Sequence, residues 1–262
     1  MAVRPSEARH PAMLNVSAYL DRIAYTGPLA PTIEVLRKLH RAHLLSVPFE
    51  NLDIALGREI VCDEDAFIQK IVKRRRGGFC YELNGAFAGL LRAIGFRVTL
   101  LSARVPRDDG SDGPEFDHLA LRIDLDEPWL ADVGFGDSFL EPLELRPGAE
   151  QSHDGRTYRV ADCGSSLHME KAELDGAWKR QYSFTLTPRN LDQFAAMCHY
   201  HQTSPESPFT RKSVCSMATP DGRITVADRK LILTRKGKRK ERLLASGAAW
   251  RAALKEYFDI VL

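Results

Sequence analysis

A chain of 262 residues, 44% hydrophobic and 27% charged, has the composition of an ordinary globular protein and is long enough for one large domain or two to three smaller units. Thirty-seven basic against 35 acidic residues leave a net charge of +2, which gives no electrostatic case for a nucleic-acid or membrane-surface partner. Five widely spaced cysteines without a CxxC pair, a polar segment 1–15 lacking the apolar centre of a signal peptide, and no apolar run near the roughly 18 residues of a membrane span together give the expectation of a cytoplasmic protein with reduced thiols.

The first third reads as helical. Asn15 or Ser17 caps a short helix carrying Tyr19, Leu20 and Ile23, which stops near Gly27 and Pro28. Thr32 opens a longer one with Ile33, Leu36, Leu39 and Leu44 at helical spacing, up to Pro48. A loop, Pro48 to Asp53, follows. Asp63 caps a third helix with Phe67, Ile68, Ile71 and Val72 on one face. The fourth begins near Cys80, points Leu83, Phe87, Leu90, Leu91 and Ile94 inward, and ends at Gly95.

Beyond Gly95 the apolar period shortens towards two. Arg97 to Val105, His118 to Leu125, Trp129 to Val133, Thr157 to Val160 and Trp178 to Leu186 read as strands joined by short turns, hence an antiparallel sheet or barrel. Ser204 to Pro208 marks a boundary. After it, Arg223 to Val226, Lys230 to Thr234 and Arg242 to Ala245 read as a small meander, with Arg235 to Lys240 as a solvated basic turn, and Ala248 to Phe258 as a closing helix.

The chemistry concentrates in three short segments. In Arg76-Gly77-Gly78-Phe79-Cys80-Tyr81-Glu82-Leu83-Asn84, two glycines permit a tight turn and a close approach to substrate, and deliver a cysteine to the first turn of a helix. Unpaired N–H groups and the helix dipole favour a thiolate there. The competing reading of any such cysteine is a small buried hydrophobe. His118 stands at the start of one strand and Asp132 at the end of the next. If the two strands pair as a hairpin, the carboxylate can orient the imidazole, and Cys80, His118 and Asp132 form a relay in which the base activates the thiol. Spacing alone leaves open a surface histidine and a turn aspartate instead.

Taken in order, Arg76 to Asn84, His118, and Asp132-Val133-Gly134-Phe135-Gly136 resemble the arylamine N-acetyltransferase family, supported by Pro48 to Asp53 and by Tyr19 to Pro28. The resemblance is co-linear from about residue 17 to 145, weaker to Phe209 and silent beyond. It implies an α+β fold: a helical bundle (1–95) carrying the cysteine, an antiparallel β-barrel (96–203) carrying the histidine and aspartate, and an α/β lid (204–262) around a cysteine-protease-like Cys–His–Asp site. It implies a cytoplasmic acyltransferase of xenobiotic metabolism. Acetyl-CoA acts as co-substrate, and the acetyl group passes by a ping-pong route through a thioester on Cys80 to an aromatic amine, hydrazine or hydroxylamine. An amide synthase or cysteine hydrolase using the same three residues with another acyl donor is the alternative, and a non-catalytic binding protein the third reading.

Secondary roles follow from the resemblance. Arg76 pairs with Glu50 to brace the loop presenting the thiol. Phe135 lines the substrate and pantetheine cleft or packs in the core, and Gly134 and Gly136 let the ligand approach the backbone. Position 139 is Phe, which excludes a Rossmann phosphate loop, and no Walker sequence occurs, so scattered basic side chains meet the CoA phosphates. Cys198-His199-Tyr200-His201 lacks the partner pair of a structural zinc site, so no metal is expected. His40 and His43, on a leucine-rich helix, read as packing or surface residues.

Overall fold

Side-chain oxygens start the helices: Asn15 accepts the Ala18 N–H at 3.0 Å, Thr32 that of Val35 at 3.4 Å and Asp63 that of Ala66 at 2.9 Å. In this computed structural model, which describes residues 14–262, they open α1 (Val16–Arg22), α2 (Ile33–Ser46) and α4 (Glu64–Ile68). Most of the polar N-terminal segment, residues 1–13, lies outside the described residues. Between α2 and α4 lie a two-residue strand β1 (Phe49–Glu50) and a single turn α3 (Leu52–Ala55). The third helix is shorter than its apolar pattern suggested, because α4 widens into one π-helical turn, Gln69–Lys73, which buries Lys70 together with Ile71.

Helix α5 (Cys80–Ile94) is enclosed on nearly every side and ends at Gly95 with φ +106°. Leu83, Ala86, Phe87, Leu90 and Leu91 join Tyr19, Leu36, Leu39 and Phe67 in one apolar cluster, and Leu119, Leu121 and Ile123 close it from the sheet side. The helix therefore forms the central post between the other helices and the large sheet.

That sheet contains β2 (Arg97–Arg104), β3 (His118–Asp124), β4 (Pro128–Ala131), β5 (Leu143–Glu144), β6 (Gln151–His153), β7 (Arg156–Asp162), β8 (Leu167–Ala172) and β9 (Trp178–Phe184). They pair antiparallel in the order β5-β4-β3-β2-β9-β8-β7-β6. The two edges approach each other, and the Gln151 side chain exchanges bonds of 2.7 and 3.0 Å with the Glu144 backbone, so the sheet is a nearly closed barrel. Leu101, Ala103, Ala120, Leu130, Val160, Met169 and Tyr182 fill its interior. The register pairs Ala103 with His118 and Leu121 with Ala131, which brings the start of β3 near the residue that follows β4.

A 3₁₀ turn, Leu191–Phe194, leads into α6 (Ala195–Thr203) and α7 (Pro208–Arg211). The chain then makes β10 (Val214–Thr219), β11 (Gly222–Ala227), β12 (Lys230–Arg235), β13 (Lys238–Leu243) and α8 (Gly247–Phe258). β1 joins this second sheet by pairing Phe49 with Ser216 and Glu50 with Cys215. Two expectations are corrected here. Of the basic run read as a turn, Lys236 and Gly237 make the turn and the residues from Lys238 continue as β13, so the strand expected from Arg242 starts four residues earlier. β13 is exposed along its whole length and shows no alternation, because neither of its faces is buried. No helix among the described residues is long and apolar enough to cross a membrane.

Candidate active site

The loop before α5 is fixed by backbone contact. A Cβ on Gly77 would overlap the Pro48 carbonyl, one on Gly78 would meet the Glu82 side chain at 2.6 Å, and Glu50 N–H donates to the Gly78 carbonyl at 2.9 Å. The two glycines thus let this loop pack closely on segment 48–50 and on α5. Glu82, one turn into the helix, accepts the Phe79 N–H at 3.1 Å, and its other oxygen takes the Lys70 ammonium at 2.8 Å. Cys80 is thereby held at the first position of α5, with 4% of its surface exposed.

Across from it, His118 Nε2 and Asp132 Oδ2 are 2.7 Å apart, both residues buried. Asp132 Oδ1 accepts Asn84 Nδ2 and the Gly134 N–H, each at 2.9 Å. With Nε2 committed to the carboxylate, Nδ1 is the ring nitrogen left for the thiol. The Cys80 thiol has the His118 imidazole and the Leu119 N–H as its polar neighbours. Burial pushes that thiol up and outweighs the pull of these two neighbours, so Cys80 stands above the usual thiol value. Burial alone would depress His118, but the Asp132 carboxylate outweighs it and lifts the imidazole from 6.5 to about 10. Asp132 is in turn held below the usual carboxylate value, against burial, by His118, Asn84 and the Gly134 N–H. The imidazole keeps its proton readily, and that charge offsets part of the cost that burial places on a facing thiolate.

Aromatic rings close the site. Phe135 lies 5.2 Å edge-on from His118, and Tyr182 lies 5.1 Å from both rings. Phe135 thus packs against the imidazole and the barrel interior while remaining half-exposed. At Gly134 a Cβ would stand 2.8 Å from Cys80 Cα and 2.7 Å from Asn84 Nδ2, so the missing side chain lets this loop lie against the cysteine's own helix. Gly136, at φ +90°, has open space around it.

Residues 32–262 match the N-acetyltransferase family profile. The chain belongs to the arylamine N-acetyltransferase family. It is 38% identical, over 78% of its length and 73% of the relative's, to the arylamine N-acetyltransferase / N-hydroxyarylamine O-acetyltransferase of Salmonella typhimurium. The solved arylamine N-acetyltransferase of that organism superposes with a TM-score of 0.89 at 32% identity, covering 95% of this chain and 92% of the other. The Mycobacterium marinum enzyme in complex with CoA superposes with a TM-score of 0.87 at 32% identity, covering 94% and 93%. The protein is accordingly an acyltransferase enzyme.

Several residues of this acetyltransferase bear on the site although the sequence assigned them no role in it. His40, read as packing or surface, is fully buried: its Nε2 accepts the Asp132 N–H at 3.1 Å, its Nδ1–H donates to the Leu140 carbonyl at 2.9 Å, and its ring stacks on Phe139. Burial, the largest influence, lowers it to about 4, so it stays neutral and able to accept. Asn84, one turn after Cys80, donates to the Leu119 carbonyl at 2.6 Å as well as to Asp132, and accepts the Val133 N–H at 2.9 Å. A single amide therefore ties the helix that carries Cys80 to the strand that begins at His118 and to the segment after β4 that holds Asp132 and Val133. Tyr81 donates to the carbonyls of Phe116 and Asp117, and Ser102 Oγ accepts the Phe116 N–H at 2.7 Å. These bonds hold Phe116, at φ +66°, in a left-handed conformation two residues before His118.

Arg76 and Glu50 do pair, at 2.8 Å, within a larger network: Arg76 also reaches Asp53 at 3.2 Å, and Lys70 bridges Asp53 and Glu82 at 2.8 Å each. Burial, the largest influence, pushes Glu82 up to about 7 against the pull of Lys70. Replacing Arg76 with alanine leaves Glu50 and Asp53 partly unpaired in a dry site and is expected to lower the unfolding free energy by about 3–5 kcal/mol. Denaturant titration measures this, and a loss under ~1 kcal/mol would show that Lys70 alone suffices.

The Cys198-to-His201 segment forms part of α6, where His201 contacts Ser207 Oγ at 3.2 Å and Asp117 at 3.1 Å. Among the described residues no group of three or more His, Cys, Asp and Glu side chains gathers as a metal site.

Proposed function

We propose that this enzyme moves the acetyl group of acetyl-CoA to the nitrogen of an aromatic amine, hydrazine or hydroxylamine by a ping-pong route through an acetyl thioester on Cys80. The observation that carries this reading is a thiol at the start of α5 facing a buried imidazole that is hydrogen-bonded at 2.7 Å to Asp132. The CoA complex of the Mycobacterium marinum relative supports the donor class, and the arylamine N-acetyltransferase in the name of the Salmonella relative supports the amine acceptor. The N-hydroxyarylamine O-acetyltransferase in that same name is transfer to oxygen and supports a hydroxylamine only as a molecule such a site accepts.

In the first half-reaction the Cys80 sulfur attacks the acetyl carbonyl, its bond to the CoA sulfur breaks, and His118 returns a proton to the departing thiol. One thioester is exchanged for another, so the step is nearly balanced. In the second, the amine nitrogen attacks acetyl-Cys80, His118 takes the amine's proton, and the thiol is regenerated. An oxyanion forms on the acetyl oxygen in both halves. The Cys80 N–H, in the unpaired first turn of α5, is one donor for it. The Phe116 N–H is committed to Ser102, which leaves that of Asp117 as the second. Residues 204–262 serve as the lid that keeps water from the thioester, and scattered basic side chains meet the CoA phosphates. A cytoplasmic setting keeps the nucleophile reduced.

The test is intact-protein mass spectrometry after incubation with acetyl-CoA and no acceptor. One acetyl group is expected on the chain, located at Cys80 by peptide mapping and discharged when an aromatic amine is added. A chain that gains no acetyl group, while Cys80 still reacts with iodoacetamide, would overturn the donor assignment.

A further inference from the structure

Two cysteines outside the transfer chemistry meet where the loop before α4 crosses α6. Gln202 ties the crossing: its amide accepts the Ile60 N–H at 2.7 Å, donates to the Ile60 carbonyl at 2.9 Å, and lies 3.4 Å from Cys198 Sγ. Cys198 Sγ is 3.9 Å from that same Ile60 carbonyl. Two residues further on, Cys62 Sγ turns back over the start of the 3₁₀ turn that leads into α6, 3.7 Å from the Leu191 carbonyl. Both thiols therefore sit at this one crossing, with Cys62 packed against the apolar cluster that contains Cys198. Cys198 is buried, whereas Cys62 is only half-buried.

We propose that Cys62 and Cys198 form an oxidation site that closes into an intramolecular disulfide when the protein meets a peroxide. Cys62 is the attacking thiol: it has the solvent access, and the neighbouring Cys198 thiol holds it below the usual thiol value, whereas Cys62 and burial together raise Cys198. The Cys62 sulfur attacks one peroxide oxygen and the O–O bond breaks. The departing oxygen leaves as water or alcohol with the Cys62 proton, and Cys62 becomes a sulfenic acid. The Cys198 sulfur then attacks the Cys62 sulfur, the S–O bond breaks as the S–S bond forms, and the hydroxide leaves as water with the Cys198 proton. Two thiols lose two electrons and one peroxide gains them. The bond would lock the 60–62 segment to α6, one layer of side chains behind the nucleophile: Phe194, just before α6, and His201 within it both pack against Tyr81, the residue after Cys80. A transient disulfide of this kind is the form expected in a reducing compartment.

The experiment exposes the full chain to graded hydrogen peroxide, blocks remaining thiols with N-ethylmaleimide in denaturant, and maps tryptic peptides without reduction. Cys62 and Cys198 are each the sole cysteine of their tryptic peptides, 59–70 and 190–211. The expected product is these two peptides cross-linked, lighter by two hydrogens than their sum, from protein that runs as a monomer, and separated again by dithiothreitol. Cys62→Ser should eliminate the product and leave Cys198 fully blocked by maleimide. If both peptides still carry maleimide in full at a peroxide dose that completely oxidises Cys80, the proposal is wrong. That readout involves no acetyl transfer, so it stands or fails apart from the function proposed above.

Discussion

Cys80→Ala is expected to reduce arylamine acetylation by on the order of 10⁶-fold, to the background of the uncatalysed reaction, with the fold unchanged. The size of the loss follows from the site. With the sulfur gone, His118 and Asp132 still form their hydrogen bond, but the acetyl group has no protein atom to occupy between donor and acceptor. Direct attack of the amine on acetyl-CoA would need both substrates at the imidazole together, and His118 is only 3% exposed beneath Phe135 and Tyr182. Cys80→Ser retains the shape but should be nearly as inactive. An alcohol is a far weaker acid than a thiol, so it is harder to activate as a nucleophile, and its alkoxide is a poorer leaving group than a thiolate, which slows discharge of the acetyl ester. Both variants should keep the wild-type thermal midpoint to within a few degrees, since only one heavy atom of a side chain at the edge of the core is changed. Initial rates with an aromatic amine, read beside the unfolding curve, check this. Residual turnover within 100-fold of wild type, in a sample free of wild-type enzyme, would remove Cys80 from the mechanism.

The parts of this site that were legible in the sequence are those marked by local punctuation. Gly77 and Gly78 announced a tight turn before a helix, and His118 and Asp132 stood at opposite ends of two apolar runs whose antiparallel pairing could be guessed. The four other polar groups were illegible for a shared reason: their partners are far along the chain or are backbone atoms. His40 meets the N–H of a residue 92 positions away, and on α2 it looks like one more member of a leucine-rich face. Asn84 lies within the motif, but nothing local says that its amide spans two strands. Lys70 sits on what reads as an amphipathic helix, where a lysine is ordinarily solvated, until the π-helical turn carries it inward to Glu82 and Asp53. Tyr182 lies in a strand whose facing neighbours are known only once the barrel is nearly closed. The fold shows the same division. The capped helices α1, α2, α4 and α8 were placed to within a residue or two at their starts, whereas the single turn α7, capped by Ser207, was read only as a boundary. β10, which pairs with the two-residue β1, and the wholly exposed β13 have no periodic signature.

Asp132→Asn tests whether the carboxylate orients the base. Oδ1 of residue 132 accepts from both Asn84 and the Gly134 N–H. An asparagine keeps those bonds only with its carbonyl oxygen in that place, which turns its NH₂ towards His118. Nε2 must then accept, so the ring proton moves to Nδ1 and faces the thiol it should deprotonate. The opposite rotamer sets the NH₂ against two donors and is worse. A fall in kcat on the order of 10⁴ is expected. The stability of the variant adds a signature that the loss of activity alone lacks. In the wild type His118 is raised from 6.5 to about 10, so its contribution is complete below pH 6.5 and disappears as the pH climbs through about 10. Asp132 is lowered from 3.8, so its contribution is present above that value and disappears as the pH falls through its depressed pKa. Without the carboxylate, burial is the dominant influence left on His118 and pulls the imidazole below 6.5, so the variant loses stability as the pH drops through that value. The gap in unfolding free energy between wild type and variant should therefore be widest between pH 4 and 6.5 and narrow steadily towards pH 10. Denaturant titrations at pH 6 and pH 9.5 decide it. A gap that stays constant would mean that Asp132 holds the loop by its other hydrogen bonds and leaves the protonation of His118 to something else.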